Sequence, residues 1–196
     1  MPSIISKNNL RTLAASVLFY IPLVREISLW TSCINASRAT AQKALSKQKS
    51  LLILPGGEME QLMTTYGTEM VYLSKRKGFI KLAMKNKVPV VPMYVYGCND
   101  YFYTSKLFYS LRYTLVKRLG VCIPLCAGLF GSMTCPLPKK TTIVIGKPLQ
   151  FTMKGDDGPT EEELNTAHDL FVKELVKLFD EHKEQLGYGD RTLKVV

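Results

Sequence analysis

The amino-acid sequence predicts an α/β fold: a single domain over residues 1–196 with a central, mostly parallel sheet and flanking helices. Three patterns carry this expectation. Residues 51–54 (Leu-Leu-Ile-Leu) and 88–95 (Val-Pro-Val-Val-Pro-Met-Tyr-Val) are short apolar runs of strand length. Residues 74–86, between them, have helical spacing with Phe79, Leu82 and Ala83 on the inward side. Residues 160–186 carry a long amphipathic repeat. A strand-helix-strand unit builds a sheet with helices packed over it, and ligands then bind at the carboxyl ends of the strands. With 196 residues, 46% of them apolar, the chain can bury one sizeable core.

Taken in order, residues 10–30 are an apolar segment suited to a membrane interface. The uncharged stretch 13–24 is only twelve residues long between Arg11 and Arg25, whereas a spanning helix needs about 20. Residues 51–97 form the strand-loop-helix-strand unit. Residues 119–138 are uncharged but hold three prolines and three glycines, which a lipid-exposed helix does not tolerate, so irregular structure, buried or dipping into a membrane, is expected there. The clearest loop is Gly155-Asp156-Asp157-Gly158-Pro159. Thr160-Glu161-Glu162-Glu163 is a capping box opening the C-terminal helix. Leu164, His168, Phe171, Leu175, Leu178, Phe179, His182 and Leu186 then follow one helical stripe.

Charge is uneven. Residues 1–120 hold 17 Lys and Arg against 5 Asp and Glu, a net of +12, while residues 121–196 hold 9 against 11, a net of −2. A basic surface serves nucleic acid, an anionic leaflet or a phosphorylated ligand. No helix-turn-helix, zinc-finger or RNA-recognition motif is present, so nucleic acid is not expected as a partner. Cys33, Cys98, Cys122, Cys126 and Cys135 make an odd count without Cys-x-x-Cys spacing, which predicts reduced, buried thiols. His168 and His182, the two histidines, stand next to no cysteine pair, so no metal site is expected.

The chemistry concentrates at the end of the first apolar run. A strand that opens into Pro55-Gly56-Gly57 exposes backbone N–H groups, a concavity that suits an oxyanion or a phosphate. The same pair also suits a plain tight turn. Lys77, Lys81 and Lys85 recur every four residues, as a cationic ridge or a solvated face. Arg76 lies near a helical first turn, where N–H groups and the helix dipole favour an anion; a structural role is the alternative.

In combination these residues are far more specific. Pro55-Gly56-Gly57-x-x-Glu60, then Arg76-Lys77-Gly78-Phe79-x-x-x-Ala83, then Val88-Pro89-x-x-Pro92-x-Tyr94-x-x-Gly97 closely resembles the type-2 diacylglycerol and monoacylglycerol acyltransferase family. Ile21-Pro22-Leu23-Val24-Arg25-Glu26 and the Cys33-x-x-x-x-Arg38 block resemble the family upstream. Gly128-Leu129-Phe130 and Thr142-Ile143-Val144-Ile145-Gly146-Lys147-Pro148-Leu149 resemble its late strand and Gly-Lys-Pro turn. Two departures stand out. The family's His-Pro-His-Gly motif, its proposed catalytic base, is absent, and the resemblance therefore implies a chain lacking the N-terminal part. Ala127 stands where members tend to carry arginine.

The resemblance implies transfer of a fatty acyl group from acyl-coenzyme A to diacylglycerol or monoacylglycerol, forming triacylglycerol. It places the chain at the cytosolic face of the endoplasmic reticulum membrane or on lipid droplets. Acyl-coenzyme A is then a co-substrate, with no cofactor; the acyl acceptor, the membrane surface and a homo- or hetero-oligomer are the partners. Gly56 and Gly57 would donate to the oxyanion, Glu60 would orient the loop, and Arg38, Arg76 and Lys77 would hold the coenzyme phosphates. No residue of the chain is assigned as the base. The competing reading is an inactive form that binds lipid or pairs with a full-length acyltransferase.

Overall fold

The computed structural model describes residues 9–155 and 158–196, so Asp156 and Asp157 of the expected loop lie outside the described residues. The chain falls into two compact units, Met1–Pro55 and Gly56–Val196.

In the first unit β1 (Leu10–Ala14) lies between β2 (Cys33–Asn35) and β3 (Ser50–Leu52), all parallel, with Thr12 opposite both Cys33 and Leu52. The stretch 13–24 is not one helix. It runs from the end of β1 through a single 3-10 turn at Ser16–Phe19, then past Pro22 into α1 (Val24–Trp30). Tyr20, Leu23 and Trp30 project into solvent at 82%, 77% and 81% exposure. The second helix, α2 (Arg38–Ser46), starts cleanly because the Ser37 hydroxyl accepts the Thr40 N–H at 3.2 Å, and it buries the small faces of Ala41 and Ala44.

The second unit begins with α3 (Gly57–Met63), β4 (Glu69–Val71), α4 (Gly78–Lys85) and β5 (Met93–Tyr96). It continues through β6 (Tyr103–Thr104), α5 (Tyr109–Leu119), β7 (Cys126–Ala127), β8 (Thr142–Ile145), α6 (Glu161–Leu186) and β9 (Leu193–Val195). The α/β class holds, with the strands distributed over small sheets. β4 and β9 pair in parallel, Glu69 opposite Leu193; β5 and β8 pair antiparallel, Met93 opposite Ile145; and β6 pairs antiparallel with β7.

The expected strand-helix-strand unit is therefore corrected in its pairing: β3 pairs with β1, and β5 pairs with β8. The run 88–95 is also broken, because Pro89 and Pro92 have no N–H to give. Val90 makes an isolated bridge to Leu149, and the strand proper starts at Met93. The inward face of α4 is Ile80, Ala83 and Met84, an i, i+3, i+4 set, with Phe79 and Leu82 at its flanks.

α6 organises the core of this unit. Its Thr160 hydroxyl and Glu163 carboxylate complete the capping box, and Leu164, Phe171, Leu175 and Phe179 pack on Ile80, Met84, Tyr94 and Tyr96. Tyr96 stacks on Phe179 with ring centroids 5.2 Å apart and donates its hydroxyl to the Phe179 carbonyl at 2.5 Å.

Residues 119–138 are irregular, as their prolines and glycines require. They are mostly exposed or half-buried, with Leu119, Ile123, Phe130 and Met133 exposed and Gly128 buried. The cysteines are all free, but none is buried; Cys98 and Cys135 are exposed and the others half-buried, because they fall at strand starts and in loops. Among the described residues no helix is long and apolar enough to cross a membrane.

Candidate functional site

The Gly-Gly loop opens α3, and the two glycines differ in what they supply. Gly57 is exposed with φ +57°, the left-handed region that disfavours a side chain. Gly56 is buried, and a Cβ there would stand 2.2 Å from the Glu60 Oε2 atom. The glycine thus makes room for the Glu60 carboxylate, one helical turn on, to fold back over the loop. That carboxylate accepts the Tyr72 N–H at 2.8 Å, tying α3 to the chain leaving β4. Burial pushes the Glu60 pKa above the ordinary carboxylate value, opposed by the Tyr72 N–H and by the Arg76 charge. Neither Gly56 nor Gly57 donates its N–H to an acceptor among the described residues.

Arg76 closes the arrangement from twenty residues downstream. Its Nη2 donates to the Gly56 carbonyl at 3.3 Å, its guanidinium lies 5.2 Å from the Tyr72 ring centroid, and its buried Nε–H has no acceptor among the described residues. A cleft of about 380 Å³ opens beside it, lined by Glu58, Met59, Tyr72, Lys75, Arg76, Val116 and Lys117.

Of the residues expected at the site, Gly56, Gly57, Glu60 and Arg76 come together. Lys77 does not join them: it precedes α4 and its ammonium donates to Asn165 of α6 at 2.6 Å. Arg38 is the exposed first residue of α2 in the other unit. Lys75 and Lys117 supply the cleft's further positive charge. Sequence reasoning singled out neither: Lys75 stands next to Arg76 but outside the motif residues, and Lys117, on α5, carried no motif signal.

The histidines are engaged elsewhere. His168 is 4% exposed and its Nε2–H donates to the Leu73 carbonyl at 3.0 Å, bracing the turn that leads to Arg76. The His182 Nδ1–H donates to the Leu178 carbonyl of its own helix at 3.0 Å. Sequence reasoning also missed a buried polar cluster: Arg191 Nη1 donates at 2.9 Å to both Glu69 Oε1 and Asp100 Oδ2, and the Tyr94 hydroxyl donates to Glu69 Oε2 at 2.5 Å. Although the Cys98 residue as a whole is exposed, desolvation of its sulfur, with the Glu69 charge nearby, pushes the thiol up to about 11, leaving it protonated at neutral pH.

A strand-derived glycine loop, buttressed by a carboxylate and an arginine beside a basic cleft, defines an α/β protein equipped to hold an anionic ligand. Comparison with known proteins narrows the class. Residues 2–196 match the family model for diacylglycerol acyltransferase, and the chain belongs to that family. It is 36% identical over 188 residues to diacylglycerol O-acyltransferase 1 of Eremothecium gossypii, covering 91% of this chain and 41% of that protein. It is 34% identical over 192 residues to human diacylglycerol O-acyltransferase 2, covering 91% and 48%. Human 2-acylglycerol O-acyltransferase 3 is 33% identical over 183 residues, covering 87% and 53%. The chain thus spans about half the length of the curated relatives it matches. No solved structure matches it significantly.

Proposed function

We propose that this chain forms part of an O-acyltransferase of neutral-lipid synthesis, moving a fatty acyl group from acyl-coenzyme A to the hydroxyl of diacylglycerol or monoacylglycerol. Family membership and the names of its relatives support the acceptor class. The observation that carries the reading is the convergence of separated motif positions, Gly56, Gly57, Glu60 and Arg76, on one loop beside a basic cleft. Acyl transfer needs donors for the thioester oxyanion, cations for the coenzyme phosphates and a base for the acceptor hydroxyl. The open N–H groups of Gly56 and Gly57 fill the first role and Arg76 the second.

Neither histidine lines the cleft: His168 is buried against the Leu73 carbonyl and His182 is bonded to the Leu178 carbonyl of its own helix, so neither is placed as the base. That observation supports the second reading, a lipid-binding or interaction protein without turnover. The working surface we infer is the cytosolic face of the endoplasmic reticulum or a lipid droplet, with exposed Tyr20, Leu23 and Trp30 offering apolar contact.

The test is acyl transfer from acyl-coenzyme A to diacylglycerol, measured for residues 1–196 and for the same chain preceded by a His-Pro-His-Gly-bearing segment. General-base assistance is worth roughly 100- to 10,000-fold, so the first should sit near background and the second should turn over. Comparable rates from both, abolished by His168→Ala or His182→Ala, would overturn the reading that neither histidine is the base. No turnover from either would favour the interaction protein.

A further inference from the structure

The cleft beside α3 holds more unneutralised positive charge than the fold requires. Lys75, Arg76 and Lys117 line it, against the single carboxylate of Glu58. Lys75 is exposed and has no hydrogen-bond or ion-pair partner among the described residues. Lys117, also exposed, is engaged by Tyr113, whose ring lies 4.6 Å from its ammonium, and has no carboxylate partner among the described residues. Arg76 commits one N–H to Gly56, and an arginine carries five in all. Three cations facing one cavity repel one another unless an anion joins them.

We propose that this cleft is a binding site for the diphosphate group of a phosphorylated ligand. Among the lining side chains three cations face one carboxylate, which leaves the lining net positive and suited to the anionic oxygens of a diphosphate. Charge-assisted bonds from guanidinium and ammonium groups to phosphate oxygens are the strong class of polar contact. The about 380 Å³ available admits such a group with part of its ester chain. Tyr72, already against Arg76, walls the cleft.

The same two helices line a second cleft of about 400 Å³ farther along, walled in part by Leu62, Met63, Tyr109, Pro124 and Leu125. Glu58 and Leu62 are one turn apart on α3, as are Val116 and Arg112 on α5, so both clefts follow the α3–α5 seam. The seam suits a ligand that is phosphorylated at one end and apolar at the other. Naming that ligand as the acyl donor rests on the acyltransferase reading; the diphosphate site itself does not.

The experiment is calorimetric titration of the full chain with inorganic diphosphate and, separately, with coenzyme A. It compares the parent with Lys75→Ala, Lys117→Ala and Lys77→Ala, each checked for an unchanged melting temperature. Lys75→Ala and Lys117→Ala should each weaken both ligands about tenfold, while Lys77→Ala, whose ammonium is held by Asn165, should bind as the parent does. A parent that does not bind diphosphate, or Lys75→Ala and Lys117→Ala variants that bind it undiminished, would overturn the site. Coenzyme A binding that ignores both substitutions would overturn the cleft as the coenzyme's site and leave the acyl-donor reading of the chain standing. Diphosphate displaced by phosphatidate vesicles and not by coenzyme A would uphold the phosphate site, assign it to a lipid headgroup and remove the acyl-donor reading.

Discussion

Two polar regions of the second unit are built to opposite standards of completeness. Around Arg191 the buried carboxylates are fully engaged, held by a single guanidinium nitrogen and by neighbouring donors. Glu69 and Asp100, 2% and 4% exposed, share the guanidinium. The second Glu69 oxygen accepts from Tyr94 and from the Asn99 amide at 2.9 Å, and Asp100 also accepts the Gly67 N–H at 3.1 Å. At the Gly56 loop Arg76 makes one long bond, its Nε–H is unmatched and two glycine N–H groups stand open. A saturated network has nothing left to offer a ligand and everything to lose by disruption. An unsaturated one forgoes stability and keeps donors free for an anion. On this contrast the Arg191 cluster serves stability, and the Gly56 loop keeps donors open for the proposed ligand.

The largest effect should come from the saturated side. Arg191→Ala leaves two buried carboxylates without their cation, and urea denaturation should show a loss of about 3–5 kcal/mol. A loss below about 1 kcal/mol would erase the contrast. Next comes the buttress of the loop: Glu60→Ala strips the Tyr72 N–H of its acceptor and should cost about 1–3 kcal/mol.

Glu60→Gln sharpens this, because the amide oxygen can still accept that bond without a charge. The Glu60 pKa is raised by burial, so its contribution to stability is full below the ordinary value of 4.5 and is lost as pH rises through the raised one. The Gln variant lacks that loss. Its stability relative to the parent should therefore climb as pH rises from about 4.5 across that window, in melts taken at stepped pH. A flat difference would show that Glu60 feels no net burial penalty.

Gly57→Ala meets no atom within 4 Å, so its cost should be the backbone strain at φ +57° alone, about 1 kcal/mol by thermal melting. The smallest effects concern the first unit. The chain should co-float with anionic vesicles, less so as salt is raised, and Trp30→Ser should lower the bound fraction by about two- to threefold. No flotation at low salt would remove the membrane contact.

What the sequence made legible follows the range of the interactions. The capping box at Thr160 and Glu163 and the 164–186 stripe are local patterns, and α6 appears where they place it. The Gly56, Glu60 and Arg76 assembly was legible because each residue sits in a recognisable motif. Pairing was not. β4 finds β9 across the length of the second unit, and β5 finds β8, through registers that no local period encodes. The inward face of α4 was read around Phe79, whereas Ile80 is fully enclosed; a short helix with apolar residues at 79, 80, 82, 83 and 84 leaves its rotation to tertiary packing. Lys77 was placed at the site by its position in the Arg76-Lys77-Gly78-Phe79 motif, but at the start of α4 its ammonium bonds to Asn165. Lys117 entered the cleft because α5 packs beside α3, a long-range contact invisible in sequence.

The most direct test of the contrast is coenzyme A affinity and unfolding free energy measured together on Arg76→Ala and Arg191→Ala. The account predicts that Arg76→Ala weakens coenzyme A about tenfold while unfolding free energy falls by less than about 1 kcal/mol. It predicts the reverse for Arg191→Ala: a several-kcal/mol loss of stability, with affinity per folded molecule unchanged. Arg191→Ala weakening coenzyme A as strongly as Arg76→Ala, or Arg76→Ala leaving affinity intact, would contradict it.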